Sequence, residues 1–138
     1  MKILGLDLGE KTLGVASSDS TKTVATKIKT ITFNSYDYDS AIIKLQNLID
    51  INEYEKIVLG LPKNMDGSLG FQAKESLNFK KKLEKTFKKD VILWDERLTS
   101  KIAQSVMITA DLSRKKRKKK IDYIAATIIL QSYLDSRK

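Results

Sequence analysis

The hydrophobic and polar positions change period several times along the chain, and each change marks an element. Lys2 to Leu8 is a short apolar run that takes in one carboxylate, Asp7, and it stops at Gly9 and the polar pair Glu10-Lys11. Leu13 to Ser17 is apolar again, so the two runs predict a β-hairpin. From about Thr23 to Phe33, β-branched residues alternate with Ala25, Lys27, Lys29 and Ile31. That predicts a third strand with a half-exposed face or a free edge.

The period then becomes helical. Ala41, Ile42, Leu45, Leu48 and Ile49 share one face, predicting an amphipathic helix from about Asp39 to Ile51. Lys56 to Leu61 reads as a compact buried strand stopped by Pro62, and a Gly-containing loop covers 63 to 70. Phe79, Leu83 and Phe87 recur every four residues in a second helix, and Val91 to Trp94 form a fifth strand ending in Asp95-Glu96-Arg97. Thr99 or Ser100 suits the cap of a helix near Ser100 to Asp111. The last helix, Ile121 to about Ser136, is apolar on most sides from Ile124 to Leu130 and is expected to pack on a sheet. The order β-β-β-α-β-α-β-α-α predicts one α/β domain over residues 1–138, with a mixed sheet flanked by helices.

Composition narrows the chemistry. The chain has no Cys and no His, which excludes disulfides, thiolate or imidazole ligands, a cysteine nucleophile and a histidine base. Carboxylates, lysines, hydroxyls and backbone remain. The net charge is +9, but seven cations are consecutive: Arg114, Lys115, Lys116, Arg117, Lys118, Lys119 and Lys120. Without them 19 cations face 17 anions. The run predicts a flexible, solvated basic loop over about 111–120, ready to meet an anion such as a nucleic-acid backbone. No run of eighteen apolar residues spans a bilayer, and the N-terminus opens on a strand pattern, so a cytoplasmic protein with no membrane partner is expected.

Three acidic positions stand out by placement. Asp7 lies inside an apolar strand, Asp95 and Glu96 lie where the fifth strand runs out, and Asp122 is in the first turn of the apolar last helix. Each has a plain structural reading. Asp7 could pair with Lys11, Asp122 could complement the helix dipole, and Asp95-Glu96 could pair with Arg97 on the surface. Gathered at one end of a sheet, however, they would be an oxygen-only cluster that needs a cation, and Mg²⁺ or Mn²⁺ suits such donors.

The motifs around these acids resemble one family. Gly5-Leu6-Asp7-Leu8-Gly9-Glu10-Lys11-Thr12 through Asp19 is similar to the opening motif of the YqgF, or RuvX-like, family. Val58 to Ser68, Asp95 to Ser100, and Ile121 to Ala126 with Leu130 to Leu134 follow in that family's order. The resemblance implies a ribonuclease-H-like fold with sheet order 3-2-1-4-5, related to Holliday junction resolvases. It also implies a nuclease that trims the 5′ end of precursor 16S rRNA, with pre-ribosomal particles among its partners. By motif match, Asp7, Glu96 and Asp122 are the metal-binding catalytic acids, with Asp95 as the substitute for Glu96. Two departures stand out. Thr12 occupies a position where the family often has Arg, and Lys119, Ala125 and Ala126 stand where related resolvases carry a fourth carboxylate.

In that sheet order the Glu96 strand is two positions from that of Asp7, ~9–10 Å away. Glutamate reaches further than aspartate, which favours Glu96 over Asp95. Lys11 and Arg97 are candidates for charge stabilisation at a scissile phosphate, and Asn64 or Asp66 for lining the gap. RNA is the expected substrate because the family points to it. Branched DNA is the alternative, and a non-catalytic RNA-binding assembly factor a further one. Asp7-Leu8-Gly9 also resembles the phosphate-binding start of actin-like and hexokinase-like ATPases, but those need a second ribonuclease-H-like half to close around the nucleotide, for which 138 residues leave no room, and no P-loop is present.

Overall fold

The computed structural model describes residues 1–98 and 114–137, with side chains through Arg97 and again from Ala125. β1 (Lys2–Leu8) and β2 (Thr12–Ser18) form the predicted hairpin, with Asp7 opposite Gly14 and Leu8 opposite Leu13. The turn closes through a 2.7 Å hydrogen bond from the Gly9 N–H to the Thr12 carbonyl. β3 (Ala25–Thr32) pairs antiparallel with β2. It starts later than its alternating pattern suggests because the Asp19 carboxylate accepts the backbone N–H groups of Thr23 and Val24, at 2.8 and 3.1 Å, and holds them in the turn.

α1 (Tyr38–Leu48) is capped by Asp37, which accepts from the Ser40 N–H at 3.3 Å. It ends before Ile51, since Ile49 is extended and Asp50 caps a short 3-10 turn at Ile51–Glu53. β4 (Tyr54–Leu61) returns parallel to β1, α2 (Phe71–Phe87) crosses over, and β5 (Asp90–Asp95) lies parallel to β4. A 3-10 turn (Glu96–Leu98) follows, and the long helix α3 (Arg114–Ser136) closes the described chain. The sheet order is β3-β2-β1-β4-β5, as the resemblance implied, and β3 is an edge strand as its lysines suggested.

Alternation along the strands sorts the core into two layers. Leu4, Leu6, Leu8, Ile57, Leu59 and Val91 face α1 and α2, where Leu45, Phe79 and Leu83 complete the packing. Ile3, Ala16 and Val58 face α3, against Ala126, Ile129, Leu130, Tyr133 and Leu134. Each fully buried Leu, Ile or Phe here contributes about 1.5–3 kcal/mol relative to exposure. α3 settles deeply because β1 offers no side chain at its centre: a Cβ on Gly5 would come within 2.7 Å of Leu130 Cβ and 3.3 Å of the Ala126 carbonyl oxygen. Gln131 secures the helix to the start of β3, accepting from the Ala25 N–H at 2.8 Å and donating to the Thr23 carbonyl at 2.9 Å. At the other sheet edge, the Trp94 indole N–H donates to Ser132 Oγ at 3.1 Å.

One expectation is corrected. Residues 114–120, read as part of a flexible loop, are the first turns of α3. Lys and Arg are strong helix formers, and the chain has neither Gly nor Pro after Gly70, so nothing separates the basic run from the apolar helix it leads into. Like-charge repulsion between neighbouring turns costs only a few tenths of a kcal/mol per pair. The helix expected near Ser100 to Asp111 lies outside the described residues.

Candidate active site

The sheet register determines which carboxylates meet. Leu6 of β1 pairs with Leu59 of β4, so Asp7 and Gly60 come next along those strands, and Gly60 pairs in turn with Trp94 of β5. Asp7 follows Ile3 and Gly5 on the face toward α3, and Glu96 follows Ile92 and Trp94 on that same face. Between them stands Gly60. A Cβ there would lie 3.1 Å from both Cγ and Cδ of Glu96. The glutamate therefore lies across the bare backbone of β4 and reaches the Asp7 carboxyl, with which it shares a hydrogen bond. The ~9–10 Å gap of two strand spacings is crossed by side-chain length and by the absence of a side chain between.

The electrostatics follow from that contact. Burial, then the charge of Asp7 and the hydrogen bond to it, push the Glu96 carboxyl up to about 8 from an ordinary 4.5. At neutral pH the pair thus retains one proton, shared across the hydrogen bond between Glu96 and Asp7. Two half-buried carboxyls in contact cannot both ionise without a proton or a cation between them.

Asp95 takes a different course. It sits in register with Leu61 and points away from Asp7, accepting from Arg97 through the backbone N–H (2.9 Å), Nε (3.1 Å) and Nη2 (2.7 Å). Those bonds lead the causes that hold its carboxyl below the usual carboxylate range, and Lys63 Nζ adds a charge at 4.0 Å. Arg97 in turn reaches the Met65 carbonyl at 3.4 Å, tying the loop after β4 to the end of β5. Within that loop Asn64 donates to Ser68 Oγ at 3.0 Å, Asp66 accepts from the Ser68 N–H at 2.9 Å, and Gly67 supplies the left-handed φ of 88° that the turn needs. Lys11 is exposed in the β1–β2 turn, four residues beyond Asp7.

The backbone of α3 carries Asp122 toward the same end. Moving back along the helix from Gln131, beside the start of β3, to Ala126, over Gly5, follows β1 toward its carboxyl end. Asp122 is one turn further. Its side chain, and those of Arg114 to Lys120, lie outside the described residues. Among the described residues no group of three acids that could hold a metal ion occurs. One residue important to this geometry, Gly60, is not among the sequence candidates, although it carries a signal, a glycine in a buried strand, which marks close approach.

A five-stranded sheet of order 3-2-1-4-5, with a carboxylate on the central strand and a second reaching it from the edge, defines a ribonuclease-H-like domain of the resolvase type. Solved structures share this architecture. The fowlpox virus resolvase in complex with Holliday junction DNA matches with a TM-score of 0.58 at 20% identity, over 99% of each chain. RuvC of T. thermophilus in complex with a Holliday junction also gives 0.58, at 10% identity over 99% of this chain and 95% of that one. The chain belongs to the RuvX, Holliday junction resolvase, family, whose model matches residues 1–136. Relatives named "Putative pre-16S rRNA nuclease" include one from Geobacillus sp. (strain WCH70), 51% identical over the whole of both chains. Another, from Bacillus subtilis (strain 168), is 52% identical over 99% of each.

Proposed function

We propose that this chain is a divalent-metal-dependent endonuclease that hydrolyses phosphodiester bonds, acting in the cytoplasm on the 5′ end of precursor 16S rRNA within pre-ribosomal particles. One observation carries the chemistry: Glu96 is laid across Gly60 onto Asp7, and the two carboxyls are left to share one proton. The donors fit the cation that the reading requires. They are hard oxygens, they carry the charge a cation neutralises, and the chain contains no imidazole or thiolate to favour zinc. Asp7 and Glu96 would hold Mg²⁺ or Mn²⁺, with Asp122 of α3 as the third ligand. Bound there, the ion supplies charge neutralisation and a water of lowered pKa.

The remaining roles belong to the protein. Lys11 in the exposed turn beside Asp7 attracts the phosphate backbone. Asp95, held by Arg97, is a positioning residue that fixes the turn from which Glu96 projects. Arg97 and Asn64 organise the loop over which the strand passes, and Arg114 to Lys120 supply a basic approach to the acids. The relatives' names support RNA as substrate. Branched DNA is the second reading, supported by the description of the family model.

Side-by-side cleavage of precursor 16S rRNA and of a four-way DNA junction, with Mg²⁺ or Mn²⁺, tests both. Asp7→Asn and Glu96→Gln are expected to lower cleavage about 100-fold or more while retaining binding. Cleavage at wild-type rates by either variant would leave an RNA-binding assembly factor, purified with a contaminating nuclease, as the better account.

A further inference from the structure

Five of the chain's ten aromatic residues converge on the far side of the sheet from α3, next to the β1–β2 turn. They form a connected series. Fully buried Phe79 meets Tyr38 edge to face at 5.7 Å, and Tyr38 meets Phe33 at 6.0 Å and Tyr36 at 6.2 Å. Tyr36 meets Phe71 at 5.7 Å with the rings perpendicular. The series begins in the core and ends in solvent, where Tyr36 is 45% and Phe71 62% exposed.

Its outer members are held in place. Tyr36 adopts a left-handed backbone with φ 61°, which costs a bulky residue about 1–2 kcal/mol. Contact of its half-exposed ring with buried Tyr38 offsets part of that cost. What holds it is the β1–β2 turn: the Tyr36 N–H donates to the Glu10 carbonyl at 3.0 Å, and its hydroxyl donates to Glu10 Oε1 at 3.0 Å. Phe71 is tied to the same turn through its neighbour, for Gln72 Nε2 donates to the carbonyl of Leu8 at 3.2 Å, the residue after Asp7. Tyr36 is strained, and both rings are exposed and anchored to the turn that follows Asp7, at the same end of the sheet as the candidate active site though on the opposite face; such groups point to a ligand.

We propose that Phe71, set perpendicular to Tyr36 and buttressed by it, offers its ring face as a stacking platform for an unpaired base of the nucleic-acid strand on which the carboxylates act. This deepens the nuclease reading and depends on it for the identity of the strand. A base is the part of a nucleotide that the chemistry accepts here. The hydrogen bond to Glu10 raises the Tyr36 phenol pKa, burial and then Glu75 raise that of Tyr38, and the negative charges beside these rings repel phosphate while leaving a flat neutral ring free to stack. Lys11, exposed in the same turn, is a cation available to the phosphate instead. Rings already fixed by their neighbours lose little freedom on binding, so the stacking contact is retained in affinity. A platform of this kind distinguishes single-stranded from fully paired substrate, because a base inside a duplex has no free face to offer.

The test uses the full chain carrying Asp7→Asn, so that the strand survives, with 12-nucleotide single strands of RNA and of DNA containing 2-aminopurine and the corresponding duplexes. Quenching of 2-aminopurine emission is expected on binding single strands. Phe71→Ala and Tyr36→Ala should each weaken single-strand affinity about tenfold and remove the quench, with duplex affinity unchanged. Phe71→Leu, equally apolar but without a π face, should behave as Phe71→Ala, and Phe71→Trp should restore both signals. The strand type that is quenched identifies RNA or DNA as the source of the base. Unchanged single-strand affinity in Phe71→Ala, equal losses for duplex and single strand, or full activity of Phe71→Leu would each overturn the platform. Binding is read without cleavage, so loss of the platform leaves the carboxylate chemistry standing, and loss of cleavage leaves the quench.

Discussion

Gly60→Ala is the most discriminating single substitution this geometry offers. The new methyl would lie 2.7 Å from Ile129 Cδ1 and 3.1 Å from Cγ and Cδ of Glu96, closer than side chains normally pack. Both neighbours are the outer parts of side chains, so they can give way. Overpacking of this size costs about 1–3 kcal/mol. The gain of roughly 0.5–1 kcal/mol from replacing glycine in a strand offsets part of it. Stability should therefore fall by no more than about 2.5 kcal/mol, and the protein should stay folded. Activity should suffer far more, because moving a reacting group by about 1 Å costs on the order of 100-fold. Displaced from Asp7, Glu96 also loses a neighbour that raises its pKa, so its titration should move down from about 8. Thermal melting, kcat on a cleavable strand and NMR titration of the Glu96 side-chain carboxyl read the three effects. Gly5→Ala is the control. There the Cβ meets Leu130 Cβ at 2.7 Å and the Ala126 backbone oxygen at 3.3 Å, which cannot swing aside, so stability should fall further than in Gly60→Ala. A Gly60→Ala protein with wild-type kcat and an unmoved Glu96 titration would refute the view that the glutamate reaches Asp7 through the space this glycine leaves.

Other expectations follow from the same contacts. The folded-state pKa of Glu96 lies above its ordinary 4.5, so the metal-free folded protein binds the extra proton between about pH 4.5 and 8. Its stability should then decline with rising pH across that window by up to a few kcal/mol and level off above pH 8, as followed by urea unfolding in chelator. Adding Mg²⁺ or Mn²⁺ should reverse that slope, since a cation favours the ionised pair. A decline that persists unchanged with metal would argue against binding there. Arg97→Ala should release the loop at Met65 and the turn that carries Glu96, lowering kcat more than binding, while the partly exposed ion pair itself contributes about 1 kcal/mol to stability by chemical denaturation. Replacing Arg114 to Lys120 with Gln should weaken binding of all sequences about equally. It should also flatten the dependence of log K on log salt by roughly 0.7 for each lost contact to a single strand, measured by titration at several salt concentrations.

The sequence carried most of this fold because its elements have clean periods. The apolar runs of β1 and β2 reflect burial on both faces, the four-residue recurrence of Phe79, Leu83 and Phe87 reflects one buried face, and that burial is what stabilises each element. Boundaries were less legible where a side chain intervenes locally. Asp19 draws Thr23 and Val24 out of β3, and Asp50 ends the helical face early, though a count of β-branched or apolar residues continues through both places. The basic run misled for a related reason. Charge density suggests a loop, but helix formation depends on backbone freedom, and lysines cost it little.

The candidate site shows the same division between what a pattern encodes and what a register decides. Acids at the ends of apolar strands are visible in a sequence because burying them is costly. Which of two adjacent acids turns toward the central strand is not visible, since strand neighbours point to opposite faces and one residue of register exchanges them. Here Leu61 opposite Asp95 places that carboxylate with Arg97 and sends Glu96 toward Asp7, over the one position of β4 at that level that has no side chain. Glutamate at 96 and glycine at 60 therefore act as a matched pair: a shorter acid would fall short of Asp7, and a larger residue at 60 would block it. The double substitution Glu96→Asp with Gly60→Ala should accordingly be no worse in cleavage than Glu96→Asp alone, because the shorter side chain no longer occupies the space the methyl fills. Losses that multiply instead, with each single variant folded by melting and the double variant lower by the product of the two, would mean that the residues act independently and that the matched-pair account is wrong.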